Sequence, residues 1–158
     1  MKRLICIALL ASGCATTANY VYSFDLTDPG ARNVSKPGER DVLEDADIKS
    51  EILVDPTSFR AILLDITNKT EAPLDIGWGQ ISLIGPDKTA IPIHPDQRLG
   101  PIEPGTRAVA RLIDFALPAQ GPAAAGYDQS TFELIVPMVV RGVPREVRYH
   151  LIARVQKL

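Results

Sequence analysis

Residues 132–140 and 143–151 are two runs of alternating apolar and polar side chains on either side of Arg141-Gly142. That pair reads as a two-residue hairpin loop, with Gly142 supplying the positive φ such loops need. Val140 then faces Val143, and the pairing continues outward through Val136 with Val147, Leu134 with Tyr149 and Phe132 with Leu151. One face of this ribbon is apolar except for Arg145 near the loop. The other pairs Glu133 with His150 and Ile135 with Arg148. A slip of one residue would turn a polar face inward, so the register is tightly specified. A long antiparallel hairpin with one buried face needs a second layer to cover it, which points to an all-β fold.

The rest of the chain agrees. Residues 48–54 and 59–67 are rich in β-branched and apolar side chains and are separated by Asp55-Pro56, so both read as strands. Asn68-Lys69-Thr70 closes the second; the triplet matches a glycosylation sequon but reads as a turn. In the segment 72–87, Leu74, Ile76 and Trp78 share one face, after which the inward residues become Ile81 and Leu83. Gly77 and Gly79 flank this change of parity, so a bulge or bend is expected there. Trp78 reads as the central packing residue of a middle strand, or else as an exposed platform for a sugar or peptide. Gly85-Pro86-Asp87-Lys88 is a hairpin turn leading to a strand at 89–93, and a further strand at 106–115 follows the turn at 102–106. Residues 116–130 show no periodicity. A loop of that length is either functional or mobile, and Tyr127 within it reads as an anchor or as an aromatic contact.

The N-terminus carries an address. Lys2 and Arg3 precede an apolar run, residues 4–10, and then the small residues Ala11, Ser12 and Gly13. The run is about ten residues, whereas a bilayer span needs roughly 20, so the segment reads as a cleaved signal peptide. "LASGC", residues 10–14, resembles the lipobox of bacterial lipoproteins in its looser form, with Ala11 where Leu is commonest. The resemblance implies cleavage after Gly13, a diacylglycerol on the Cys14 sulfur and an acylated new amino terminus. The alternative is an ordinary secretory signal with an incidental cysteine. Cys6 lies in the removed segment, so a mature exported chain would hold Cys14 alone, with no disulfide partner inside it. Ala15 replaces the Asp that marks inner-membrane retention in proteobacterial lipoproteins, so the resemblance implies the outer membrane, facing the periplasm.

The domain organisation expected is a signal peptide at 1–13, the lipidated Cys14 and a tether at 14–41, and a sandwich domain at 42–158. Within the tether Tyr20, Tyr22, Phe24 and Leu26 alternate with Val21, Ser23 and Asp25. This stretch is either a first strand docked on the sheet or an exposed aromatic strip.

Little in the chain suggests chemistry. A net charge of -2 lacks the basic excess of a nucleic-acid binder. There are two histidines, His94 in a Pro-rich loop and His150 on the hairpin, and a metal site with Asp96 would require the fold to bring them together. The acidic run of Asp41, Glu44, Asp45 and Asp47 lacks the spacing of a calcium loop and reads as a solvated approach to the first core strand. No nucleophile elbow or phosphate-binding glycine motif occurs. No catalytic, metal or cofactor-binding residues are assigned.

The expected fold is a single antiparallel β-sandwich of about seven to nine strands, immunoglobulin-like in outline. Over residues 48–158 the layout is similar to the small immunoglobulin-like ectodomains of bacterial lipoproteins. The expected function is a non-catalytic, membrane-anchored cell-envelope module that binds another envelope protein. The alternative is a carrier or sensor for a small ligand, lipid or glycan held in a sandwich pocket.

Overall fold

The computed structural model describes residues 20–27, 41–54, 61–113, 123 and 125–157. The expected signal peptide, Cys14, and the greater part of both the tether and the 116–130 loop lie outside these residues. Eleven strands occur among them: β1 (Tyr20–Leu26), β2 (Asp41–Glu44), β3 (Ile48–Val54), β4 (Ile62–Asn68), β5 (Asp75–Ile76), β6 (Ser82–Ile84), β7 (Ala90–Ile91), β8 (His94–Pro95), β9 (Arg107–Ile113), β10 (Thr131–Val140) and β11 (Val143–Lys157).

The hairpin anchors the first sheet. β10 and β11 pair from Val140 with Val143 out to Thr131 with Ile152, in the register the alternation demands. Both loop residues take positive φ, Arg141 at 50° and Gly142 at 78°, so the loop is a type I′ turn. The sequence assigned that conformation to Gly142 alone. For Arg141 it costs roughly 1–2 kcal/mol.

The first sheet runs β1-β11-β10-β6-β7, with β5 also on β10; the second runs β2-β3-β4-β9-β8. All pairs are antiparallel. Setting β1 and β2 aside, the order β3-β4-β9-β8 reproduces strands A, B, E and D of an immunoglobulin domain. The order β11-β10-β6-β7 reproduces G, F, C and C′. The fold is an immunoglobulin-like sandwich with one extra strand on the G side and one on the A side.

The two extra strands lie in and beside the expected tether. β1 pairs with the far half of β11, Tyr20 with Lys157 through Leu26 with Leu151. Phe24 and Leu26 enter the core, where the Phe24 ring meets Phe132 edge-on at 5.4 Å. β2 pairs with β3 from Asp41 with Ile52 to Glu44 with Lys49.

Two expected strands change form. Residues 89–93 were read as one strand, but the chain crosses from β7 in the first sheet to β8 in the second. Pro92 has no N–H for a ladder, and Ile93 turns into the core instead. Strand C is also broken. A single 3₁₀ turn, Trp78–Gln80, separates β5 from β6 and shifts the parity where a bulge was expected. Trp78 is buried and its Nε1–H donates to the carbonyl of Gly100 at 3.2 Å. It is thus a packing residue, placed in a turn and not in mid-strand.

The space between the sheets is filled by one continuous cluster, with Leu64, Ile66, Leu74, Leu83, Leu112, Leu134, Val136 and Leu151 at its centre. Each such side chain contributes about 1.5–3 kcal/mol through burial. Two polar contacts are set into it. Ser50 on β3 and Tyr149 on β11, both fully buried, share a hydrogen bond of 2.7 Å across the sheets. At the end of β4 the buried Asn68 side chain donates to the carbonyls of Ala72 and Ile102 and accepts from the N–H and hydroxyl of Thr70. The Asn68 triplet is therefore a turn built around its own asparagine.

Tyr149→Phe removes the hydroxyl that meets Ser50. A buried group stripped of its partner costs about 1–3 kcal/mol. Urea unfolding should show a stability loss of that size as a lower midpoint with an unchanged slope, and the double variant with Ser50→Ala should recover part of it.

Candidate functional site

The outer face of the first sheet holds the most distinctive surface. Alternation along β10 puts Phe132, Leu134, Val136, Met138 and Val140 inside and Glu133, Ile135, Pro137 and Val139 outside. The last three form an apolar stripe, half-buried by their neighbours. Proline in the middle of a central strand is unusual because it cannot donate to a ladder. Here the neighbour has already left: β10 pairs with β6 at 133–135 and with β5 at 138–139. Pro137 faces the interruption between them, and its carbonyl accepts from Gly77 N–H at 2.8 Å. The missing donor and the broken strand therefore match. A Cβ at Gly77 would stand 3.1 Å from the Pro137 ring, so glycine lets the turn close down on it.

The 3₁₀ turn leaves a groove of about 620 Å³ beside this stripe, lined by Gly77, Gln80, Pro137, Val139 and Pro144 with Asp75, Arg145 and Glu146 at its rim. Sequence reasoning passed over Pro137. The available signal was a proline inside a run whose alternation otherwise marks an uninterrupted strand.

The sequence-derived candidates are spread over the molecule. His150 lies opposite Glu133 on this same outer face, its Nε2 3.6 Å from the carboxylate. Arg148 also reaches Glu133, at 3.2 Å, and Glu146 at 2.9 Å. These contacts make a cross-strand polar patch bordering the apolar stripe. His94 belongs to β8 of the other sheet, so the fold places the two histidines on different sheets. It lines a second, open groove of about 560 Å³ with Ile76, Trp78, Asp96, Arg98 and Leu99. Arg111 stands 3.3 Å from Asp96 at its edge. Among the described residues no three His, Cys, Asp or Glu side chains are grouped to hold a metal ion. Tyr127 is half-buried and its ring packs on Phe132 at 6.0 Å, which makes it an anchor for its segment.

The acidic run closes one end of the sandwich. Asp45 Oδ1 accepts from the N–H groups of Asp47 and Ile48, forming the turn between β2 and β3. Its other oxygen meets Arg145 of β11 at 2.6 Å, while Asp47 meets Arg141 at 2.8 Å. Lys69 bridges to Glu44 at 2.9 Å. Of the acids that were read as solvated, Asp45 and Asp47 pair with arginines of the other sheet, and Glu44 pairs with Lys69 at the end of its own.

No protein-family model matches the chain, and no curated protein matches it at a significant level. Among solved structures it is similar to the GAE domain of GGA2p from Saccharomyces cerevisiae. The match has 14% identity and a TM-score of 0.38, over 71% of this chain and 94% of that one. At that score the likeness carries no argument about this chain.

Burial acts to raise the Asp45 pKa, but the hydrogen bond from Arg145 and the two backbone N–H groups outweigh it and leave it lowered. A carboxyl lowered on folding stabilises the fold above its unfolded value, about 3.9. That contribution disappears as pH falls through the folded value. Asp45→Asn keeps the backbone acceptor and removes the charge. It should lower stability at pH 7 by less than about 1 kcal/mol, since the pair is largely exposed. The gap to the unsubstituted protein should close on going below pH 4, as read by urea unfolding across a pH series.

Proposed function

We propose that this protein is a lipid-anchored lipoprotein of the bacterial cell envelope whose immunoglobulin-like domain binds another envelope protein without catalysing a reaction. The anchor is the acylated Cys14, exposed by cleavage after Gly13 within "LASGC". Ala15 directs it to the outer membrane, with the domain facing the periplasm. Two or three acyl chains hold such a protein firmly, because each buried methylene adds about 0.8 kcal/mol.

The observation that supports a protein partner is the apolar stripe of Ile135, Pro137 and Val139 with its adjoining groove. It lies on the solvent side of a sheet that also presents Glu133, Glu146, Arg148 and His150 there. An apolar centre with a rim of paired charges (Arg148, Glu133, Glu146) is the layout of a protein-binding surface. The interior between the sheets is filled by the core cluster, which favours a surface partner over a ligand held in a sandwich pocket.

The anchor has a direct test. Cys14→Ser should leave an unprocessed precursor that incorporates no labelled fatty acid, and normal processing of that variant would refute the lipoprotein reading. The surface has another. A photo-crosslinking side chain at Val139 should capture one discrete envelope protein in intact cells, while the same group at the exposed Arg107 on the other sheet should not. Val139→Lys, placed opposite Asp75, should fold normally and abolish the function of the protein in cells. Full function with that substitution would rule out the stripe.

A further inference from the structure

The position of β1 determines how the domain sits on a membrane. Only five residues, 15–19, lie between Cys14 and Tyr20, where β1 starts. Six residue steps span at most about 20 Å even when fully extended. A free tether running to residue 41 would average about 30 Å and leave the domain to tumble. Pairing with β11 removes that freedom, and it also specifies which end of the sandwich lies near Cys14. Tyr20 pairs with Lys157, the last residue of β11. Residues 125–130 lie at the same end, because Gln129 N–H donates to Ala153 and Asp128 accepts from Val155 N–H. The opposite end carries Arg141-Gly142, the ion pairs of Asp45 and Asp47, and the turn at 103–105 that closes against Asn68.

We infer that the end of the sandwich carrying Tyr20, Lys157 and residues 125–130 is held against the lipid surface, and that the end carrying Arg141, Asp45, Asp47 and Glu103 points away from it. This inference rests on the reading of Cys14 as the lipid-attachment site. β11 spans fifteen residues, about 45 Å at roughly 3.3 Å per residue. The outward end is thus no more than about 65 Å from the bilayer, and a partner must present its surface within that distance. The outer face with Pro137 and Val139 then stands along the side of the domain, toward its outward half.

The lipid occupies the sulfur of Cys14, so a single introduced cysteine can be labelled selectively. Ala125→Cys and Glu103→Cys replace exposed side chains at the two ends. The lipidated protein carrying a fluorescent donor at either position is placed in vesicles of phosphatidylethanolamine and phosphatidylglycerol that contain an acceptor on the headgroup. Energy transfer should be several-fold stronger from position 125 than from position 103. Inserting a flexible segment of about 20 residues between Asn19 and Tyr20 should abolish the difference. Equal transfer from the two positions, stronger transfer from position 103, or a difference that survives the insertion would each overturn the orientation. Mass spectrometry of the same samples reads the lipid on Cys14 directly. Its absence overturns the lipoprotein reading beneath, whereas a lipidated Cys14 with equal transfer overturns the orientation alone.

Discussion

Strand β11 is the element on which the rest of the sandwich depends, because it pairs with β10 along its first part and with β1 along its last, the two pairings overlapping at Leu151 and Ile152. Its first ten residues, Val143 to Ile152, pair with β10. Its last seven, Leu151 to Lys157, pair with β1 on the opposite edge. A single continuous strand therefore joins the G–F hairpin of the immunoglobulin frame to an N-terminal strand outside that frame. Its inward residues Val147, Tyr149, Leu151 and Ala153 are buried throughout. A shift of one residue would expose all of them at once and break both pairings.

That dependence explains which parts of the structure were legible beforehand. The β10–β11 register could be read because two alternations flank a glycine and constrain each other locally. The turn at Asn68 and the turn before Thr106 were legible for similar reasons, since Pro104 and Gly105 specify their own backbone; Gly105 has a φ of +69°. The division of residues 89–93 between two sheets was not legible. β7 and β8 are two residues each: β7 pairs locally with β6 across the 85–88 turn, whereas β8 pairs with β9, where His94 meets Ile113. Period-two patterning carries no information about which sheet a two-residue strand will join.

The candidate surface was legible only in part, and the reason is instructive for proline. The parity change around Trp78 was visible, and so in principle was the misplaced Pro137, but they lie about sixty positions apart. Each alone suggests a local irregularity. Only the pairing of β10 with both β5 and β6 shows that they are the two halves of one interruption. The ion pairs of Asp45 and Asp47 were hidden in the same way. An acidic run reads as solvated until the topology brings Arg141 and Arg145, about a hundred positions later, to the same end.

Those polar contacts have a role that their energies understate. Apolar burial is non-directional, so a core of Leu, Ile and Val holds two sheets together without specifying how far one has slid along the other. Exposed ion pairs contribute about 0–1 kcal/mol each, too little to matter beside the burial of the core residues. Their geometry is directional, however, and so is the hydrogen bond between Ser50 and Tyr149. One link lies at the middle of the sandwich, and the Arg145–Asp45 and Arg141–Asp47 pairs lie at one end. Two separated links on one pair of sheets specify both slide and rotation. At the other end Phe24 of β1 packs on Phe132 of β10, a contact within the first sheet that ties the strand following Cys14 to the hairpin. With the lipid attachment proposed at Cys14, the presentation of the domain at a membrane would depend on the same β1–β11 register that the core requires.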